Sequence, residues 1–338
     1  MTYNKVKFWV VIVVVLIILP LLNSCKSKST DLIGNWVRLS DFDGVTRSGA
    51  VGFVIGDKGY IGTGFDGDNR LADFWEYDPV RNAWTQKADF PGVGRNNATG
   101  FGTDAKGYLG TGYDGKNRLS DFYEFDPSSN SWTKKADFAG PARLQAWSFA
   151  INNLGYVTTG DASASYMKDV WQYDPSNDTW TQKTSIGGQK RKGASGFVIS
   201  GKAYLAGGID NAQYVTDFWM YDPSNDTWTK KRAIADLSTE SYDDTYTTIT
   251  GQGKVGFAIN GKGYLATGGK DIGAETWEYD PTTDLWTQKT SFEGSARTDG
   301  AGFAIGDRGY VTTGRSSGYY FDDIWAFEPN AAKDTNDN

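Results

Sequence analysis

The 338-residue chain has no histidine, one cysteine and three methionines. Without histidine, the commonest general base near neutral pH and the commonest transition-metal ligand are both missing. Zinc, copper or non-haem iron would have to be held by carboxylates and tyrosines alone, a donor set that suits them poorly. No metal and no other cofactor is expected. A single cysteine cannot close an intrachain disulfide. Positive charge is scarce too: 34 Lys and Arg stand against 41 Asp and Glu, a formal net charge of -7. That is the wrong sign for a phosphate backbone, so nucleic acid is not an expected partner. Beyond the N-terminus there is no long run with helical periodicity, whereas 15% aromatic residues and 42 glycines favour strands and tight turns.

The N-terminus is different. Lys5 and Lys7 precede an apolar run from Phe8 to Leu22, shorter than the roughly 20 residues a spanning helix requires. The run ends in Leu22-Asn23-Ser24-Cys25, which resembles the bacterial lipobox: an aliphatic residue three before the cysteine and a small one just before it. The resemblance implies that residues 1–25 are a lipoprotein signal peptide with Cys25 lipidated. The protein would then sit in the cell envelope, extracytoplasmic and lipid-anchored to a bacterial membrane. An uncleaved anchor helix is the other reading, and it also puts the protein on a membrane. Several acyl chains, at about 0.8 kcal/mol per buried CH₂, would hold it there stably. Residues 26–34 read as a polar tether.

From residue 35 the chain repeats. Trp36, Trp84, Trp132, Trp180 and Trp228 recur every 48 residues, and Trp286 follows after 58. Each period carries four short strand-like runs, called a to d here, with the tryptophan on d. Strand a ends near a phenylalanine, and a Gly/Asn/Asp turn follows, residues that take positive φ cheaply. Strand b opens on Tyr60, Tyr108, Tyr156, Tyr204, Tyr264 or Tyr310 and closes on Thr-Gly or Gly-Gly. Strand c runs to an acid-proline turn at Pro79, Pro127, Pro175, Pro223, Pro281 or Pro329. A period near 50 residues with four strands is the mark of a β-propeller. Residues 35–330 are therefore expected to form an all-β, six-bladed ring, with the N-terminal strand completing the last blade, and 331–338 a disordered tail.

The glycine pair closing strand b, the aromatic on strand c and the tryptophan after the Asp-Pro turn resemble the kelch repeat, with Thr-Gly usually replacing the pair. The resemblance covers nearly all of the chain after residue 35. It implies a propeller similar to those of the sialic acid mutarotases and of galactose oxidase, alongside many pure binding proteins. Copper chemistry of the galactose oxidase kind needs histidines, which are absent. The repeat does not choose between enzyme and binder.

Candidate site residues follow from strand alternation. The d–a and b–c connections emerge on one face, with strand a next to the axis. Six residues before the strand-a phenylalanine stand Arg47, Arg95, Arg143, Arg191 and Arg297; the fifth blade has Gly251 in register and Lys254 nearby. Five guanidinium groups at one mouth would suit carboxylate or phosphate; alternatively they bridge carbonyls and acids and hold the ring together. On the b–c loops, Arg70, Arg118, Tyr166, Tyr214, Ile272 and Tyr320 form a collar suited to a sugar or an acidic peptide, or to packing between blades. The acids that start strand c, Asp73, Asp121, Asp169, Asp217, Glu275 and Asp323, read as turn or cap residues. Asp66-Gly67-Asp68-Asn69 is similar to a calcium loop but lacks the terminal bidentate Glu. The extra residues within 234–254 supply Glu240, Asp243 and Asp244.

The expectation is a monomeric, membrane-anchored binding protein for an anionic small molecule, a glycan or an acidic peptide. The alternatives are a metal-free mutarotase working with Arg and carboxylates, or a protein-interaction scaffold. No catalytic residue is assigned from the sequence.

Overall fold

A computed structural model describes residues 32–337. The proposed signal segment and Cys25 lie outside the described residues. Those described are all-β, arranged as six four-stranded antiparallel sheets. The first blade is Val51–Ile55, Lys58–Gly62, Phe74–Asp78 and Ala83–Gln86, paired in that order from the axis outward. Blades two to five repeat the arrangement.

The sixth blade is assembled from both ends of the propeller. Asn35–Arg38 pairs antiparallel with Ile324–Glu328, placing Trp36 opposite Phe327. Trp36 is fully buried, its ring edge-on to Phe292 at 4.9 Å and its Nε1 donating to the Thr290 carbonyl of the fifth blade's outgoing chain. The tail departs from the expected disorder over residues 331–337. Asn35 donates to Asp337 through its side chain at 2.7 Å and accepts from the Asp334 N–H. Lys333 pairs with Glu293 at 2.6 Å. The tail's amide and carboxylate groups find partners on the closing strand, which its composition alone could not reveal.

The alternation of strand a explains both the core and the channel. Val51, Phe53 and Ile55 are buried between blades, while Gly52 and Val54 face the axis. Phe53 stacks beside Tyr60 of its own blade, and its far edge covers Gly107 of the next blade, where a Cβ would lie 2.5 Å from the ring. The same contact recurs between Phe101 and Gly155 and between Phe257 and Gly309. Facing the axis, a Cβ on Gly256 would come within 2.2 Å of the Gly196 carbonyl. Glycine here lets neighbouring inner strands approach closely. The resulting channel, about 470 Å³, is walled by Ala, Gly and Val with Trp147 and Ser148.

Two rings of backbone hydrogen bonds join the blades on the face of the d–a and b–c connections. In the outer ring, Gly64, Gly112, Gly160, Gly208, Gly268 and Gly314 donate to the carbonyls of Arg95, Arg143, Arg191, Gly251, Arg297 and Arg47. The inner ring encircles the axis. Asn97 donates to Gly49, Gln145 to Asn97, Gly193 to Gln145, Gly253 to Gly193, Asp299 to Gly253, and Gly49 back to Asp299, at 2.8–3.3 Å. All six residues sit at positive φ, from 53° to 63°.

Candidate functional site: the axial mouth

The five recurring arginines are not an open collar. Each is fully buried. Arg143 shows the geometry: Nη1 and Nη2 each lie 2.7 Å from one oxygen of Asp169, Nη1 also donates to the Thr159 carbonyl, and Nε donates to Pro141. Its guanidinium lies 4.8 Å from the Phe138 ring centre. Arg47, Arg95 and Arg297 repeat this with Asp73, Asp121 and Asp323. Arg191 approaches Asp217 in the same place, but its Nη2 is left without a partner. Four of the five guanidinium donors are spent inside the blade, so these residues lock strand a's entrance to strand c and are removed from the candidate binding set. Five of the six strand-c acids are corrected with them: Asp73, Asp121, Asp169, Asp217 and Asp323 are the arginines' partners, not turn caps.

Four of the five arginines hold the carbonyl of a threonine at positive φ, Thr63, Thr111, Thr159 or Thr313, and Arg191 holds that of Gly207. A β-branched residue there is strained. In the fifth blade the equivalent Thr267 carbonyl is held instead by Lys254 at 3.0 Å.

The b–c collar does lie on the mouth face, and five of its six members reach the following blade, whereas Ile272 is exposed. Arg70 is sandwiched between Phe65 and Tyr113, 5.0 and 4.9 Å from the ring centres, and donates to Asn96. Arg118 bonds both the carbonyl and carboxylate of Asp161. Lys192 reaches Asp161 as well and lies over the Tyr166 ring. Burial disfavours the charged Asp161, yet the Ser163 N–H and the two cations hold its carboxyl below the usual range. Tyr214 donates to the Lys270 carbonyl, and Tyr320 meets Phe65 edge-on. These side chains are half-buried, shared between blade packing and the surface.

Sequence reasoning missed the groups nearest the axis. The inner ring's backbone is satisfied by itself, so only its side chains face the mouth: Asn97, Gln145 and Asp299, with glycine at the other three places. They line a cavity of about 130 Å³ with Lys254 and Ser195. Neither amide makes a side-chain hydrogen bond among the described residues. Burial pushes the Asp299 carboxyl up, against the pull of Arg315, whose Nη2 lies 3.1 Å away. The available signal was the residue two after each recurring arginine, which changes between Gly, Asn, Gln and Asp from blade to blade.

The remaining candidates lie elsewhere. Asp243 is fully buried and accepts from the Leu237 and Ser238 N–H groups and the Ser238 hydroxyl. It caps its own loop, and neither it nor Glu240 or Asp244 lines the channel or mouth cavity. Tyr246, from the same insertion, is buried and accepts from the Trp286 N–H, which pins the loop to the fifth blade. Asp66 accepts from the Asp68 and Asn69 N–H groups. Asp114 does the same with Lys116 in the place of Asp68, so the calcium-like spelling is a hairpin turn.

Comparison with known proteins agrees with this architecture. Residues 108–255 match the KLHDC2/KLHL20/DRC7 Kelch-repeats domain. Among solved structures sharing the fold, the one titled "Structure of YjhT" superposes with a TM-score of 0.70 at 18% identity, covering 85% of this chain and 95% of that one. No curated protein matches the sequence. The described residues form a six-bladed β-propeller, within which residues 108–255 match a kelch-repeat model.

Proposed function

We propose that this propeller is an extracytoplasmic binding protein, lipid-anchored through Cys25, that takes a carbohydrate or small anionic ligand at the axial mouth. The observation that carries the reading is the convergence of Asn97, Gln145 and Asp299 on one cavity where the backbone offers nothing further. Planar amides and a carboxylate present both donors and acceptors, which is what vicinal hydroxyls require. Around them, the exposed parts of Tyr166, Tyr214 and Tyr320 supply ring faces for sugar carbons, and Arg70, Arg118 and Arg315 supply charge for an acid. A glycan end or an acidic peptide would meet the same groups. Calorimetric titration with sialate, galactose and citrate tests the proposal. Binding of one of them, weakened by Asn97→Gly and Asp299→Asn with the melting temperature kept, is expected; indifference of the wild type to all three would reject it.

A second reading is favoured by Asp299 itself. A carboxyl raised by burial and set against Arg315 can pass a proton at a sugar's anomeric centre, as a mutarotase without metal would. Anomer exchange of sialate followed by NMR separates it from simple binding.

A further inference from the structure

We infer that the Lys254 amine is a site of reversible covalent capture for small aldehydes, which enter through a gap in the fifth blade's collar and form an imine. The fifth blade is the exception to the arginine lock. Gly251 occupies the arginine's place and leaves only the backbone link to Gly208. Lys254 fills the vacated space, passing from the channel wall to the Thr267 carbonyl. It inherits the position without the partner. Where the guanidinium groups meet an aspartate, no carboxylate lies within ion-pair distance of Lys254 among the described residues, and Glu275 acts on it only from further away. A buried ammonium with one carbonyl for company is poorly compensated. Burial accordingly pushes it down to about 8.

Access comes from a second departure in the same blade. The bridge partners of Ser48, Asn96, Leu144, Lys192 and Thr298 are Phe65, Tyr113, Asp161, Ile209 and Arg315, each with a side chain over the mouth face. Gln252 is bridged to Gly269, which has none. A Cβ on Gly269 would lie 3.6 Å from Lys254 Nζ and 3.3 Å from the Asp271 carbonyl, so the missing side chain leaves its space next to the amine. Lys254 also borders the mouth cavity. The step balances without any co-reactant. The neutral nitrogen attacks the carbonyl carbon, a C–N bond forms, and the carbonyl oxygen leaves as water with the nitrogen's two protons. Hydrolysis reverses it.

The test does not depend on what else binds the mouth. The intact protein is treated at pH 7 with propionaldehyde and cyanoborohydride, which fixes each imine as a stable amine, and modification is mapped residue by residue. An amine near 8 is about 100-fold or more richer in its neutral form than an ordinary lysine. With discounts for access and lower basicity, Lys254 is expected to react about tenfold faster than the exposed Lys116 and Lys134. Lys254→Arg should remove that one modification and leave the others. The wild-type map decides by itself if the variant fails to fold: a Lys254 rate no greater than those of Lys116 and Lys134 overturns the inference.

Discussion

Arg143 and Asp169 meet through two parallel hydrogen bonds of 2.7 Å, with both side chains buried. Removing one partner strands the other's charge away from water, so Arg143→Ala is expected to cost about 3–5 kcal/mol. The double change Arg143→Met with Asp169→Leu removes both charges and should cost clearly less. Urea denaturation of the single and double variants checks this; equal losses would mean that the pair is not acting as a pair.

Thr63 is held at φ 61° with its hydroxyl buried and unpartnered. Glycine takes that conformation without the roughly 1–2 kcal/mol penalty of a side chain, although its freer unfolded chain returns part of the gain. Thr63→Gly should therefore be neutral or stabilising by up to about 1 kcal/mol. Thr158→Gly is the control, since that hydroxyl donates to the Asp169 carbonyl from a regular strand. Similar losses in the two variants would refute the strain argument.

Trp36 is the centre of the joint between the chain's two ends. Trp36→Ala should cost about 3–5 kcal/mol, as for other fully buried large aromatics. Loss of the sixth blade's protection in hydrogen exchange, ahead of the third blade's, would place the damage at the joint. Uniform loss across the six blades would argue that the ring opens as one unit.

Lys254 gives a pH signature. Its folded value, about 8, lies below its ordinary 10.5, so between these the unfolded chain binds the extra proton. Stability contributed by this group therefore rises as pH climbs from about 8 toward 10.5. In Lys254→Met the rise should be missing, so that the stability difference, variant minus wild type, is larger at pH 7 than at pH 9.5. A pH-independent difference between the two proteins would mean that Lys254 is not destabilised by burial.

The repeat made the architecture legible, because four short strands per 48 residues leave few ways to bury a Phe, a Tyr and a Trp each time. The partners of the arginines were also written in the sequence. Arg47 to Asp73, Arg95 to Asp121, Arg143 to Asp169, Arg191 to Asp217 and Arg297 to Asp323 share a separation of 26 residues. In the fifth blade that spacing fails on both sides at once, with Gly251 and a shifted Glu275. What could not be read was direction. Placing the arginines on the mouth face is correct for their backbone, but the side chains turn back into the blade. Only the b–c loop's approach to the Thr-Gly corner determines that.

The inner ring of peptide bonds separates the shape of the mouth from its chemistry. Because Gly49, Asn97, Gln145, Gly193, Gly253 and Asp299 hold one another through their backbones, none of their side chains is needed to keep the ring closed. A position there asks only for tolerance of positive φ, which Asn, Asp and Gly give readily and Gln145 shows to be negotiable. Six interchangeable sockets thus surround one axis, and a propeller of this design can be given a new ligand preference at its mouth without relearning how to fold.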